Sequence, residues 1–291
     1  MKILVRFLLA IAALLAALPA SATLSCSITV SNVNVVYNYF PTVTGQGTLG
    51  IACTRDPTRD NRKPTVWIGM VQTTAGNTAT LDTGGSTLTY EIFHASTTSG
   101  LWTNTGNGVN NTSTTNGAVR QRLDFGSNAS SSLTASIPFY YSIQSLQFKP
   151  AGVYVDTVAI TMRLDSATGA LITTSTLDVH ISIPRSCRFS TPPSPISINY
   201  PAFSATPVTA TSDFAITCTL TTTYTITLDQ ARSVVPTVNL AYGLSLATTS
   251  ATGTALAQPY TVNISVDAGQ AGSCSTATCT GTDTRTLTVT Y

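Results

Sequence analysis

Residues 177–183 alternate strictly. Leu177, Val179, Ile181 and Ile183 are apolar, and Asp178, His180 and Ser182 stand between them. A period of two is the pattern of a strand with one buried face. The position of this stretch constrains the chain even more than its pattern. It follows one stretch of β-type sequence and ends just before Cys187, where a second begins. Two readings are open. It is either the last strand, or a linker strand, of the first unit, or a segment that belongs in sequence to the second unit and fills a groove in the first.

Residues 1–22 read as a secretory signal. Lys2 and Arg6 supply the basic end, residues 7–18 the apolar run, and Ala20-Ser21-Ala22 the cleavage site. The run is short for a bilayer span, so a soluble, exported chain is expected. The segment carries two basic residues and no acidic ones, so the rest of the chain has equal numbers of each. Charged residues are only 9% of the total, which points away from nucleic acid and anionic lipid as partners. Six cysteines in an exported chain suggest three disulfides. Among the possible connectivities, the simplest pairs neighbours: Cys26 with Cys53, Cys187 with Cys218, and Cys274 with Cys279. In the chain-entropy view the two long loops would each contribute roughly 3–4 kcal/mol and the short one about 2. Metal binding is the alternative, but no Cys-x-x-Cys occurs and the two histidines stand apart.

From residue 23 to about 164 the chain reads as short strands between polar turns. Strands are expected at 28–36, 49–53, 65–71, 88–93, 137–144 and 153–164, with a turn-rich stretch at 104–116. No amphipathic helix is evident beyond the signal, which is a β-sandwich pattern. Several motifs stand in this span: Cys26; Gly50-Ile51-Ala52-Cys53-Thr54; Leu88-Thr89-Tyr90-Glu91-Ile92-Phe93, with Trp102 downstream; and Lys149-Pro150-Ala151-Gly152-Val153-Tyr154-Val155-Asp156-Thr157-Val158. With these motifs the segment resembles a spore coat protein U domain, the building block of archaic (Csu-type) chaperone–usher pili. After Cys187 the pattern restarts. Residues 214–219 repeat the cysteine strand, 224–228 follow, 241–244 resemble the tyrosine-containing strand, and 285–291 alternate to the end. The chain thus looks like two tandem copies of one unit. The second copy lacks the Gly-x-Tyr-x-Asp motif and carries residues 269–283, with Cys274 and Cys279, in its place.

The resemblance implies two tandem immunoglobulin-like Greek-key sandwiches: an N-terminal domain over 23–184 and a pilin domain over 185–291. Subunits of such pili lack one strand, which a neighbour supplies at an open edge. Leu177, Val179, Ile181 and Ile183 are then expected to act as a donor strand that completes the first domain in cis, leaving the second incomplete. Before Cys26, the cleaved chain would hold only Thr23, Leu24 and Ser25, too few to donate a strand. A subunit that accepts but does not donate belongs at a fibre tip, and a tip adhesin mediating surface attachment and biofilm formation is the function expected. The implied partners are a periplasmic chaperone, an outer-membrane usher, an adjacent subunit donating a strand, and a host or abiotic surface. The alternatives are a non-tip structural subunit and a free secreted binding protein or lectin. Tyr37, Tyr39, Phe40 and Pro41 form one candidate binding tip, because proline and closely spaced aromatics suit a loop. Leu101 and Trp102 form a second.

No enzyme is expected. His94 and His180 are the only histidines, and no Gly-x-Ser-x-Gly elbow surrounds a serine. No cofactor loop is evident and no metal set is expected. Residues 55–63, with Arg55, Arg59, Arg62 and Lys63 against Asp56 and Asp60, are the most charged loop of the chain. They read either as a solvated hairpin loop or as a polar contact to a surface or glycan.

Overall fold

Cys26 and Cys53 lie directly opposite each other on the first strand pair, and Cys187 and Cys218 occupy the same positions on the pair that opens the second half. The computed structural model describes residues 24–56, 63–72, 76–105, 108–126 and 130–291. The expected signal, and residues 57–62 of the charged loop, lie outside the described residues. All regular elements among the described residues are strands, and Cys26–Cys53, Cys187–Cys218 and Cys274–Cys279 are disulfide-bonded.

The first unit comprises β1 (Ser25–Val30), β2 (Val33–Val36), β3 (Val43–Thr54), β4 (Thr65–Met70), β5 (Asn77–Leu81), β6 (Thr87–Ser96), β7 (Ser99–Leu101), β8 (Val119–Arg122), β9 (Ser132–Ile143), β10 (Gly152–Leu164) and β11 (Leu171–Ile183). One layer runs β1-β3-β9-β6-β7 and the other β8-β4-β10-β11-β2. β5 pairs with both β6 and β10 and joins the layers along one edge. Alternation drives this arrangement. Leu49 and Ile51 of β3, Ile137 and Phe139 of β9, and Val158, Ile160 and Met162 of β10 all turn into one core. The expected single strand at 28–36 is in fact two. Ser31 breaks it, donating its N–H to the Thr48 carbonyl while its Oγ accepts the Thr48 N–H, and the chain crosses from one layer to the other.

The alternating stretch at 177–183 is the second half of β11. A turn at 165–170 joins β11 to β10, and the two pair antiparallel along nearly their whole length. The chain therefore reaches this strand straight from β10, as the closing strand of the first unit. Leu177, Val179 and Ile181 are fully buried and Ile183 nearly so. On its other side β11 runs parallel to β2, with Val179 opposite Val33 and Ile181 opposite Val35.

The Gly-x-Tyr-x-Asp motif has a structural meaning in β10. Gly152 sits at φ +149°, and a Cβ there would lie 2.4 Å from the Leu81 side chain. Tyr154 is buried and donates to the Pro150 carbonyl at 2.9 Å. Asp156 accepts the Tyr90 hydroxyl of β6 at 2.8 Å and so ties the two layers together.

The second unit comprises β12 (Cys187–Thr191), β13 (Val208–Cys218), β14 (Thr223–Leu228), β15 (Arg232–Val235), β16 (Leu240–Leu246), β17 (Ser250–Thr252), β18 (Ala257–Val266) and β19 (Leu287–Thr290). One sheet runs β12-β13-β18-β16-β15 and faces a three-stranded sheet, β17-β14-β19. Phe214, Ile216, Tyr224, Ile226 and Tyr242 lie at the centre of its core. β18 is hidden in the sequence by Pro259. The structure tolerates this proline because residues 257–261 pair only with β13, so its missing N–H faces no second partner.

Candidate functional site

Laying the two units side by side exposes a gap. β1 with β3 corresponds to β12 with β13, and β4 beside β10 corresponds to β14 beside β19. In the first unit the layer continues past β10 to β11 and then β2. In the second it stops at β19, which pairs with β14 alone. The counterpart of β2 is the segment after β12. Ile196, Ile198 and Tyr200 alternate there between half-buried and exposed neighbours, as in an extended strand, yet the segment pairs with no strand. Among the described residues of the second unit, nothing occupies the place that β11 fills in the first. The second sandwich is thus one strand short.

The core records the same deficit. The inward apolar residues of β10, Tyr154, Val158, Ile160 and Met162, are at most 2% exposed, whereas Leu287 and Val289 of β19 are only half-buried. Among the described residues the far side of β19 pairs with no strand, and its apolar side chains are only partly covered. Such an edge favours an added extended strand, with backbone hydrogen bonds for affinity and alternate apolar side chains for fit. Four apolar side chains of the β11 type would contribute roughly 6–12 kcal/mol as an upper figure.

The chain reaches β19 through the connection 267–286, which is anchored at both ends. Tyr200 donates its hydroxyl to the Asp267 carbonyl and accepts the Gln270 N–H, and the Gln270 side chain bonds both backbone groups of Ala241. At the far end Tyr242 donates to Asp283 at 2.6 Å, and Arg285 pairs with the same carboxylate. Tyr242 lies on the counterpart of β6. The second unit therefore rebuilds the Tyr90–Asp156 tie from unrelated sequence. The Tyr242 hydrogen bond and the Arg285 guanidinium hold the Asp283 carboxyl down at about 2. A carboxylate lowered in the folded state stabilises above its unfolded value, and that contribution is lost as pH falls through the folded one. Asp283→Asn is accordingly expected to melt below the parent chain at pH 7, with the gap narrowing between about pH 4 and pH 2. A gap constant across that interval would remove Asp283 from the acid response.

The aromatic residues singled out as binding tips require correction. Tyr37, Tyr39, Leu101 and Trp102 are buried. Their polar atoms meet distant backbone, which fixes them as core. Tyr37 donates to the Gln144 carbonyl at 2.9 Å, and Trp102 donates to the Ile68 carbonyl at 2.8 Å. Burial pushes both the Tyr37 and Tyr39 phenols up. Phe40 and Pro41 are exposed, but they sit where the two units meet. Arg188 lies over the Phe40 ring at 5.5 Å, and Tyr39 accepts the Leu220 N–H at 3.2 Å. Thr219 adds a bond from its hydroxyl to the Pro184 carbonyl at 3.0 Å, so this end of the first unit is a junction. The opposite pole is polar. Lys63 pairs with Asp124 at 2.7 Å, and Arg55 is buried over Phe125. His94 is buried edge-on to Trp102, while His180 faces outward from β11. Among the described residues no group of three or more His, Cys, Asp or Glu is placed to hold a metal ion.

Compared with known families, the chain matches the Spore Coat Protein U domain across residues 11–161. The chain belongs to that family. The matched spore coat protein U span contains Cys26, Cys53 and the Gly152–Val158 motif, and ends within β10. No curated protein matches the chain. Among solved structures, it is similar to the CsuC–CsuE chaperone–tip adhesion subunit pre-assembly complex of Acinetobacter baumannii. That likeness has 14% identity and a TM-score of 0.46, covering 92% of this chain and 100% of that one. It is also similar to the CupB6 tip adhesin of Pseudomonas aeruginosa, at 9% identity and a TM-score of 0.41, covering 92% and 95%. The CooA pilin subunit of enterotoxigenic Escherichia coli matches 55% of this chain and 98% of its own, at 12% identity and a TM-score of 0.33.

Proposed function

We propose that this chain is the tip adhesin of an archaic chaperone–usher pilus, exported through the periplasm and carried to the cell surface. The observation that carries the reading is the contrast between the two sandwiches: the first is closed by its own β11, and the second ends at an open β19 edge. Residues 23–184 then form the domain that meets a surface and supports attachment and biofilm growth. Residues 185–291 form the domain that accepts a strand from the adjacent subunit. A periplasmic chaperone covers the open edge until an outer-membrane usher exchanges it, since such an edge otherwise pairs indiscriminately. Membership of the spore coat protein U family supports the subunit class. The test is electron microscopy of assembled fibres with a label on the first domain. One label at one end of each fibre is expected. Label repeated along the shaft makes the chain a structural subunit instead, and fibres without label make it a free secreted protein.

A further inference from the structure

On the outer face of the first sandwich, three side chains from three strands stand in one row. Arg120 of β8 is directly opposite Trp67 of β4, and Trp67 is directly opposite Arg163 of β10. Residues opposite one another in antiparallel strands project to the same side. Their sequence neighbours Val66, Ile68, Val119 and Met162 are buried in the core, so the row faces outward. With strands about 4.8 Å apart, the two arginine backbones bracket the indole across roughly 10 Å. One row further along, Arg122 stands opposite Thr65. Arg120 and Arg122 are exposed, and Arg163 is half-buried, with its Nη1 donating to the Gly169 carbonyl at 2.9 Å.

Two features set this patch apart from an ordinary solvated face. The first is charge. Charged residues are only 9% of the chain, yet three arginines gather here. Among the described residues, none of the three forms an ion pair. The second is a wall beside the indole. Gly108 sits at φ +53°, and a Cβ on it would lie 2.6 Å from the six-membered ring of Trp67. Asn104 lies over Gly69 in the same way. Asn104, over Gly69, and Asn110, next to the bridge of Val109 with Val119, are both exposed. The Trp67 indole N–H is buried and meets no acceptor among the described residues.

We propose that this face binds a carboxylated polysaccharide, a chain of uronic-acid-type sugars. The proposal rests on the adhesin reading above and names its ligand class. Arginine forks take carboxylates in two-point contacts that a lysine cannot reproduce. An indole takes the apolar face of a sugar ring. The Asn104 and Asn110 amides both donate to and accept from hydroxyls. Equal numbers of basic and acidic residues outside the signal make the attraction local to the patch rather than a property of overall charge.

The test is binding of the full chain to immobilised polygalacturonate, to its methyl ester, and to polyglutamate, which carries carboxylates without sugar rings. Binding to polygalacturonate alone is expected. The double variant Arg120→Gln, Arg122→Gln is expected to bind at least about tenfold more weakly. The charge-matched control Arg185→Gln, Arg188→Gln, at the domain junction, is expected to bind as the parent does. Lysine at 120 and 122 is expected to restore only part of the loss. Equal loss in the two glutamine variants, equal binding to the methyl ester or to polyglutamate, or no binding to any polymer overturns the proposal. Because the isolated chain is measured, none of these outcomes bears on fibre position. Label along the shaft, conversely, overturns the adhesin reading and leaves the polymer result as it stands.

Discussion

Ile181→Asp is expected to leave the first sandwich unfolded, whereas His180→Ser, one residue away, is expected to change its stability by less than about 0.5 kcal/mol. Ile181 is fully buried between β10 and β2, and His180 faces solvent. Removing the isoleucine forfeits about 2–3 kcal/mol of burial, and placing a carboxylate at that point adds several more. The sum is comparable with the whole stability of an ordinary domain, about 5–15 kcal/mol. Ile181→Ala is the graded version, with an expected cost of about 2–5 kcal/mol. Circular dichroism melts of the full chain separate these variants. If the aspartate variant keeps the parent's first-domain transition, β11 is dispensable and the first sandwich is not closed by it.

The second large effect is a gain. β10 is followed by the turn at 165–170 and then by β11, and β19 occupies the position of β10 in the second unit. Appending a copy of residues 165–183 after Tyr291 supplies the second sandwich with the strand the first already has. The added hairpin is expected to lie beside β19 as β11 lies beside β10, and to raise the second-domain melting temperature by about 10 °C or more. A control copy with serine at the positions of Leu177, Val179, Ile181 and Ile183 keeps the backbone groups and removes the apolar side chains. It is expected to raise the melting temperature little. Equal stabilisation by both copies would make the effect one of length rather than of groove filling.

What could be read from sequence divides along physical lines. The four inward residues of β11 were legible because period-two alternation is local, and the repeated cysteine strands were legible because their spacing repeats. The aromatic tip was misread because Tyr37, Tyr39 and Trp102 owe their burial to partners far along the chain. Tyr37 meets Gln144, and Trp102 meets Ile68. The proline and tyrosines at 37–41 look like a loop, and they are one, but it packs against the second unit. β18 was missed because Pro259 breaks the pattern where only one neighbour needs its backbone. The Arg120, Trp67 and Arg163 row was invisible because only strand register brings the three together. The missing strand itself appears only when β10, flanked by β4 and β11, is laid against β19, which among the described residues pairs with β14 alone.

Amide hydrogen exchange on the full chain tests the open edge most directly. Protection follows local stability, so strand by strand it reports which edges are held. Amides of β10 are expected to exchange slowly and those of β19, at Leu287–Thr290, orders of magnitude faster. The appended 165–183 copy is expected to bring β19 close to the β10 level. If β19 in the unmodified chain is already as protected as β10, the second sandwich is complete as it stands, and it has no place for a partner's strand.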